Sequence, residues 1–311
     1  MIKRSYYLEI IIKNFLAFWA IFSGLLFPFT VFLILFYESG LAIKTFGIIK
    51  FLTTTTWDPV SETFGGLTML TGTLISTFIA VLIAAPVAIG IAIFITELAP
   101  SFLKGIITSA IQLLAAIPSI IYGMWGFLVL ASFMRTYVEP TLQKIFSPIP
   151  LLGKLFSGPP TGIDVLTTSL VLSIMIIPFM ASVVKDSFDL VPSVIKESAY
   201  SLGATKWEVI KDIIIPYTAS GITGGLVLST GRALGETMAV TFLAGNVAQI
   251  PTSLFSPFTT ITVALANQFT EADTPLYLSS LFYLSFILFV FSFIILSFAK
   301  LMILRLEKKW K

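Results

Sequence analysis

Val191-Pro-Ser-Val-Ile-Lys-Glu-Ser-Ala-Tyr-Ser-Leu-Gly-Ala-Thr-Lys-Trp-Glu-Val-Ile-Lys-Asp-Ile-Ile-Ile-Pro216 is a water-facing island in an apolar chain. Ser193 carries the side chain of a helix N-cap, and Gly203 stands where a left-handed residue ends a helix. Two residues on, Thr205 opens a Thr-x-x-Glu capping box with Glu208. Pro216 then leads into an apolar run. The pattern predicts two short helices meeting at a glycine corner and tied directly to a membrane helix. Ala199 and Gly203 leave room for close approach, and Tyr200 and Trp207 offer aromatic anchors, so a partner docking there would push on that helix.

The surroundings of the island are those of a membrane protein. Of 311 residues, 57% are hydrophobic and only 11% charged, against roughly 25% charged in a soluble domain. Mean hydropathy is +0.99. With no Cys and no His, the chain lacks disulfides, thiolate chemistry, the usual zinc ligands and every His-based triad. No Gly-Lys-Ser/Thr ending of a Walker A loop and no G-x-G-x-x-G occurs, so ATP and dinucleotides are not bound by those routes. A net charge of +3 is too small and too scattered to imply nucleic acid. No catalytic residue and no metal ligand set is expected.

About 20 apolar residues cross the hydrocarbon core. Charge-free runs place spans at 15–37, 67–95, 105–131, 165–184, 217–243 and 274–299, the fifth containing charges. The first is too long for a signal-peptide core and is read as a retained helix. Putting both termini in the cytoplasm places 13 Lys and Arg inside and 5 outside, with Arg232 in the membrane, which satisfies the positive-inside rule. The expected fold is therefore all-α, with six transmembrane helices in contact with membrane lipid. Thr252 to Thr270 is also uncharged, but Pro251, Pro257, Asn267 and Gln268 argue for an external or re-entrant segment. The proline-rich loop 135–164 is read either as a docking or interfacial surface or as a packed cap on the bundle. Pro118, inside the third span, is read as a bend. Glu97, with Pro100 and Lys104, reads as an ordinary helix-end charge.

Within the island, Glu197-Ser198-Ala199, three residues, Gly203, nine residues, then Ile213-x-Ile215-Pro216, resembles the EAA motif of ABC-type import permeases. That family's pattern is Glu-Ala-Ala-x3-Gly-x9-Ile-x-Leu-Pro; Ser198 and Ile215 are mild departures. The resemblance implies the type I importer permease fold. It also implies that this loop seats in a groove of a separate ATPase subunit, with Glu197, Ala199, Gly203 and Pro216 as coupling residues, to which the anchor Trp207 is added.

The fifth span holds Ser229-Thr-Gly-Arg-Ala-Leu-Gly-Glu-Thr237. A charge at mid-bilayer costs at least ~2.5–3.5 kcal/mol on insertion scales and needs a partner or a polar cavity. Arg232 and Glu236, four apart, are expected on one helical face within reach of each other. Gly221, Gly225 and Ser229 extend that face as a small-residue stripe suited to a seam with another protein. Two readings stand open: a structural lock between the two charges, or a path for an oxyanion. A guanidinium grips phosphate or sulfate oxygens in a bidentate fork. Glu236 could accept the proton of hydrogenphosphate, which sulfate lacks.

Gly231-Arg-Ala-Leu-Gly-Glu-Thr-Met-Ala-Val240, with Gly245-Asn246 after it and Ala116-Ile-Pro-Ser-Ile-Ile-Tyr-Gly123 before it, is similar to permeases of phosphate importers. The sister permease of such importers has Ala-Pro-Leu where this chain has Met238-Ala239-Val240. The resemblance covers about Gly66 to Leu304. It implies that Arg232 and Glu236 belong to the substrate path, to which Ser229 and Thr237 are added as neighbours. It further implies an assembly with a PstA-like second permease, two PstB-like ATPases holding ATP and Mg, and an external PstS-like phosphate-binding protein; this chain would hold no cofactor. The chain divides as 1–65 (tail, first span, outer loop), 66–304 (permease core, with the coupling loop 185–216) and 305–311 (basic cytoplasmic tail). Permeases for sulfate or molybdate are the alternative within transport, and an ATP-independent channel or scaffold the alternative outside it.

Overall fold

Gly72, Ser76, Ala80, Ala84, Ala88 and Ala92 recur every fourth residue along one helix, and all six are buried. A stripe of such small side chains lets a second helix approach closely in lipid, where packing rather than the hydrophobic effect drives association. The computed structural model places α2 (Leu67–Leu98) along α5 (Val165–Asp189) in the most extensive helix pairing of the chain. Ala80 and Ala84 meet Leu172, Met175 and Ile176. Ala88 and Ala92 meet Met180, Val184 and Phe188 one layer further on. The structure describes residues 2–150 and 152–310, with side chains over 10–150 and 152–301. The basic tail 305–311 lies outside the residues whose side chains are described.

Around this pair stand α1 (Ile10–Glu38), α3 (Ser101–Ala115), α4 (Ser119–Phe146), α6 (Ser193–Ser201), α7 (Lys206–Tyr217), α8 (Ala219–Leu234), α9 (Met238–Thr241), α10 (Ile261–Gln268) and α11 (Pro275–Leu301). Among the described residues, five helices are long and apolar enough to cross a membrane, and six if the bent pair α7–α8 is one span. The all-α membrane architecture stands. The first span is exposed along most of its length and touches the bundle through Phe32 and Phe36 against Phe286. The segment 252–270 is no span: it folds back as α10, whose Ile261, Val263 and Ala264 are fully buried.

The expected third span, 105–131, is two helices. Pro118 has ψ of 138°, extended rather than helical, so the chain breaks between α3 and α4 instead of bending. Proline lacks the N–H that would continue the ladder. The Tyr122 hydroxyl donates to the Leu114 carbonyl at 2.9 Å and satisfies one orphan group across the break. The fifth span also ends early, at Leu234, with Gly235 capping it. The loop 135–164 packs as a cap: Phe156 stacks edge-on against Phe255 at 5.9 Å, and the Leu254 N–H donates to the Leu155 carbonyl.

Candidate functional site

The island at 191–216 folds largely as its caps dictate. α6 ends in a Schellman arrangement: the Ala204 N–H donates to the Ala199 carbonyl at 3.1 Å, and Gly203 takes φ of +90°. The capping box of α7 is complete, Thr205 Oγ1 accepting from the Glu208 N–H while the Glu208 carboxylate accepts from the Thr205 N–H. One expectation fails. Pro192, not Ser193, occupies the N-cap of α6, because its fixed φ and extended ψ set the helix entry without a side-chain cap.

One side of the island is anchored. Val209, Ile210 and Ile214 are buried against Ala88, Ala92, Met180 and Val184. Lys196 forms an ion pair with Glu97, so the charge read as an ordinary helix end ties α6 to the end of α2. The other side is open. Leu202 is 90% exposed, Val194 68% and Trp207 62%, and Glu197 is exposed beside them. A Cβ built on Gly203 meets nothing within 4 Å, so it is φ and not crowding that demands glycine there. α7 carries a widened turn at Val209–Ile214 and joins α8 at Thr218 through a 68° bend just after Pro216. A push on α6 and α7 therefore reaches the helix that carries Arg232.

The membrane site differs from its expectation. α8 stops at Leu234, so Glu236 is not on the helical face of Arg232. Glu236 instead turns toward α9, where its Oε1 accepts the Ala239 N–H at 3.2 Å, and Thr262 on α10 donates to its carbonyl at 2.7 Å. Among the described residues, no carboxylate lies within 4 Å of the Arg232 guanidinium. The guanidinium stands 5.5 Å from the ring centroid of Phe179 on α5. That cation–π contact stabilises the charge by ~0.5–1 kcal/mol, and about 2 when desolvated, without occupying its in-plane donors. The ion-paired lock between Arg232 and Glu236 does not form.

The small-residue stripe is likewise spent inside the chain. Gly221 packs on Ser187 and Gly225 on Val184 and Val183, all on α5, so the stripe is not the seam expected with another protein. Ser229 is fully buried with its hydroxyl unpartnered, and Thr237 precedes α9, its carbonyl accepting from Thr241 Oγ1 at 2.8 Å. A cavity of about 630 Å³ beside α8 is lined by Leu74, Phe78, Leu155, Thr230, Leu234 and Ile295 among others. Such an apolar lining suits hydrocarbon rather than an ion. Sequence reading missed Phe179, Thr262 and the contact of Gly123 with Ala239, since each joins residues far apart in the chain.

Residues 88–308 match the family model described as "Binding-protein-dependent transport system inner membrane component". The chain belongs to this family. This permease is 54% identical to the phosphate transport system permease protein PstC of Mesorhizobium japonicum over 88% of its own length and 84% of the relative's. The protein of the same name from Pasteurella multocida is 47% identical, over 97% and 93%. Among solved structures, a chain of a bacterial ABC transporter involved in the import of alginate aligns with a TM-score of 0.58 at 19% identity, covering 98% of this chain and 97% of that one. A chain of the inward-facing MetNI methionine transporter aligns at 0.54 and 14% identity, covering 77% and 93%. Those two establish the fold alone. As a member of this family the permease is a multi-pass subunit of an ABC transporter in the cell membrane and not an enzyme; other subunits complete the transporter.

Proposed function

We propose that this permease imports inorganic phosphate. The observation that carries the reading is a membrane guanidinium with no carboxylate within 4 Å among the described residues, on a helix hinged to an exposed helix pair. Five donors in a planar fork match a tetrahedral oxyanion, and Phe179 holds the charge without competing for them. The PstC proteins to which this chain is 54% and 47% identical are named for phosphate transport, which supports phosphate over other oxyanions. Arg232, Glu236, Ser229 and Thr237 would border the path, Glu236 as acceptor for the proton of hydrogenphosphate.

In this reading both termini lie in the cytoplasm. Glu197, Ala199, Gly203, Trp207 and Pro216 would couple to two PstB-like ATPases that bind ATP and Mg. A PstA-like permease would complete the membrane portion, and a PstS-like protein would deliver the anion from outside. Nucleotide-driven closure of the ATPases would press on α6 and α7, swing α8 about Thr218 and expose Arg232 to one side and then the other. Radiolabelled phosphate uptake, in cells whose own importer is deleted, tests this. Uptake should depend on the chain and fall with unlabelled phosphate; competition by sulfate and not by phosphate would overturn it.

A further inference from the structure

Two carboxyl groups that the phosphate reading leaves without a role are buried at the end of the bundle opposite α6 and α7. Glu139, in the extension of α4 beyond the length a bilayer needs, and Asp164, at the N-cap of α5, are both 0% exposed. Asp164 Oδ1 accepts the Thr167 N–H at 2.8 Å, and Glu139 Oε2 accepts the Gly162 N–H at 3.3 Å. The remaining oxygens, Glu139 Oε1 and Asp164 Oδ2, are buried with no hydrogen-bond partner, and Gly162, whose N–H Glu139 accepts, lies two residues before Asp164. Two carboxyl oxygens buried together without a donor lack a hydrogen.

The surroundings supply no substitute for that hydrogen. Arg135 is exposed one turn before Glu139, and Lys144 and Lys154 follow on the same loop. None of the three lies within 4 Å of either carboxylate among the described residues. The segments packed against the pair, 156–163 and 253–258, contribute backbone groups and hydroxyls but no titratable side chain. Two buried like charges in contact cannot both ionise.

We infer that Glu139 and Asp164 form a buried binding site for one shared proton, and that this proton latches the outer loop to the start of α5. Burial pushes the Asp164 carboxyl up, against the pull of the Thr167 N–H. The folded chain then holds more protons than the unfolded one from the ordinary Asp range near 3.9 up to the pH at which the pair lets go. Stability of the latch is therefore complete in acid and falls as pH rises through that window. Gly162, with φ of +72° and no room for a Cβ against the Ala131 carbonyl, pins the loop at the same point, so release would free the chain from Ser157 to Ile163.

Infrared difference spectroscopy on the purified importer reads the proton directly. The wild type should show the C=O stretch of a protonated carboxyl at neutral pH, shifted in heavy water, and Glu139→Gln and Asp164→Asn should each lose it. Limited trypsin digestion at Lys154, corrected with an unfolded control peptide, reads the latch. Cleavage in the wild type should rise several-fold between about pH 6 and about pH 10. Glu139→Gln should be flat over that range, because an amide donates to Asp164 at every pH. A carboxyl band unchanged in both variants, or matching digestion profiles for wild type and Glu139→Gln, would overturn the inference. Neither readout involves transport, so the outcome is separable from that of the phosphate reading.

Discussion

A Cβ placed on Gly123 would lie 2.8 Å from Ala239 Cα, so α4 and α9 touch backbone to backbone at this point. The contact joins the two membrane segments that resemble phosphate-importer permeases, and it seats α9, whose Ala239 N–H donates to Glu236. Glycine is required here by space, since no positive φ is involved.

Gly123→Val should therefore pry α9 from α4. Over-packing a close contact costs about 1–3 kcal/mol. The thermal midpoint of the purified assembly should fall and uptake should drop more steeply than assembly, because Glu236 moves with α9. Gly90→Val, where a Cβ meets nothing within 4 Å, is the matched control and should do neither.

Gly203 presents the opposite case, a glycine required by conformation in open space. Gly203→Ala and Gly203→Asp force a side chain into the left-handed region at roughly 1–2 kcal/mol, and should loosen the corner between α6 and α7. Reconstituted vesicles should then hydrolyse ATP with little phosphate import. Gly203→Asn should be the mildest of the three, because asparagine tolerates that region. Uncoupling by Asp with none by Ala would point to charge at the docking surface instead of backbone strain.

The difference between these glycines is also the limit of what the sequence could say. The Gly203 corner and the Thr205–Glu208 box are closed by residues within five positions of one another, so spacing alone reveals them. The apolar runs reveal spans for the same reason. Helical periodicity failed at Glu236 because it was carried past Gly235, where the helix had already ended. The stripe at Gly221 and Gly225 announced a close approach but not its partner, and α5 of the same chain took it. Phe179 under Arg232, Gly123 on Ala239 and Glu139 beside Asp164 leave no local signal at all; each depends on which helices the fold brings together.

Thr205→Ala should cost about 1 kcal/mol by removing the acceptor for the Glu208 N–H. The loss should stay local, since Val209 and Ile210 remain buried. Hydrogen exchange should quicken at Glu208 and its neighbours while the amides of α5 keep their protection. The helix pair then docks less rigidly, and ATPase stimulation should fall while the partners still bind.

Arg232 gives the sharpest test because three substitutions separate charge, fork and ring. Arg232→Gln removes the charge and should abolish uptake while the importer still assembles, since no ion pair among the described residues depends on it. Arg232→Lys keeps the charge but loses the bidentate fork and the stacking plane, so transport should be weak rather than absent. Phe179→Leu removes a cation–π contact of ~0.5–1 kcal/mol, equivalent to about a 2–5-fold change in apparent phosphate affinity. If Arg232→Gln instead prevented assembly, the guanidinium would be holding the helices together and the path reading would fail. If Arg232→Lys matched the wild type, a point charge would suffice and the fork would carry no selectivity.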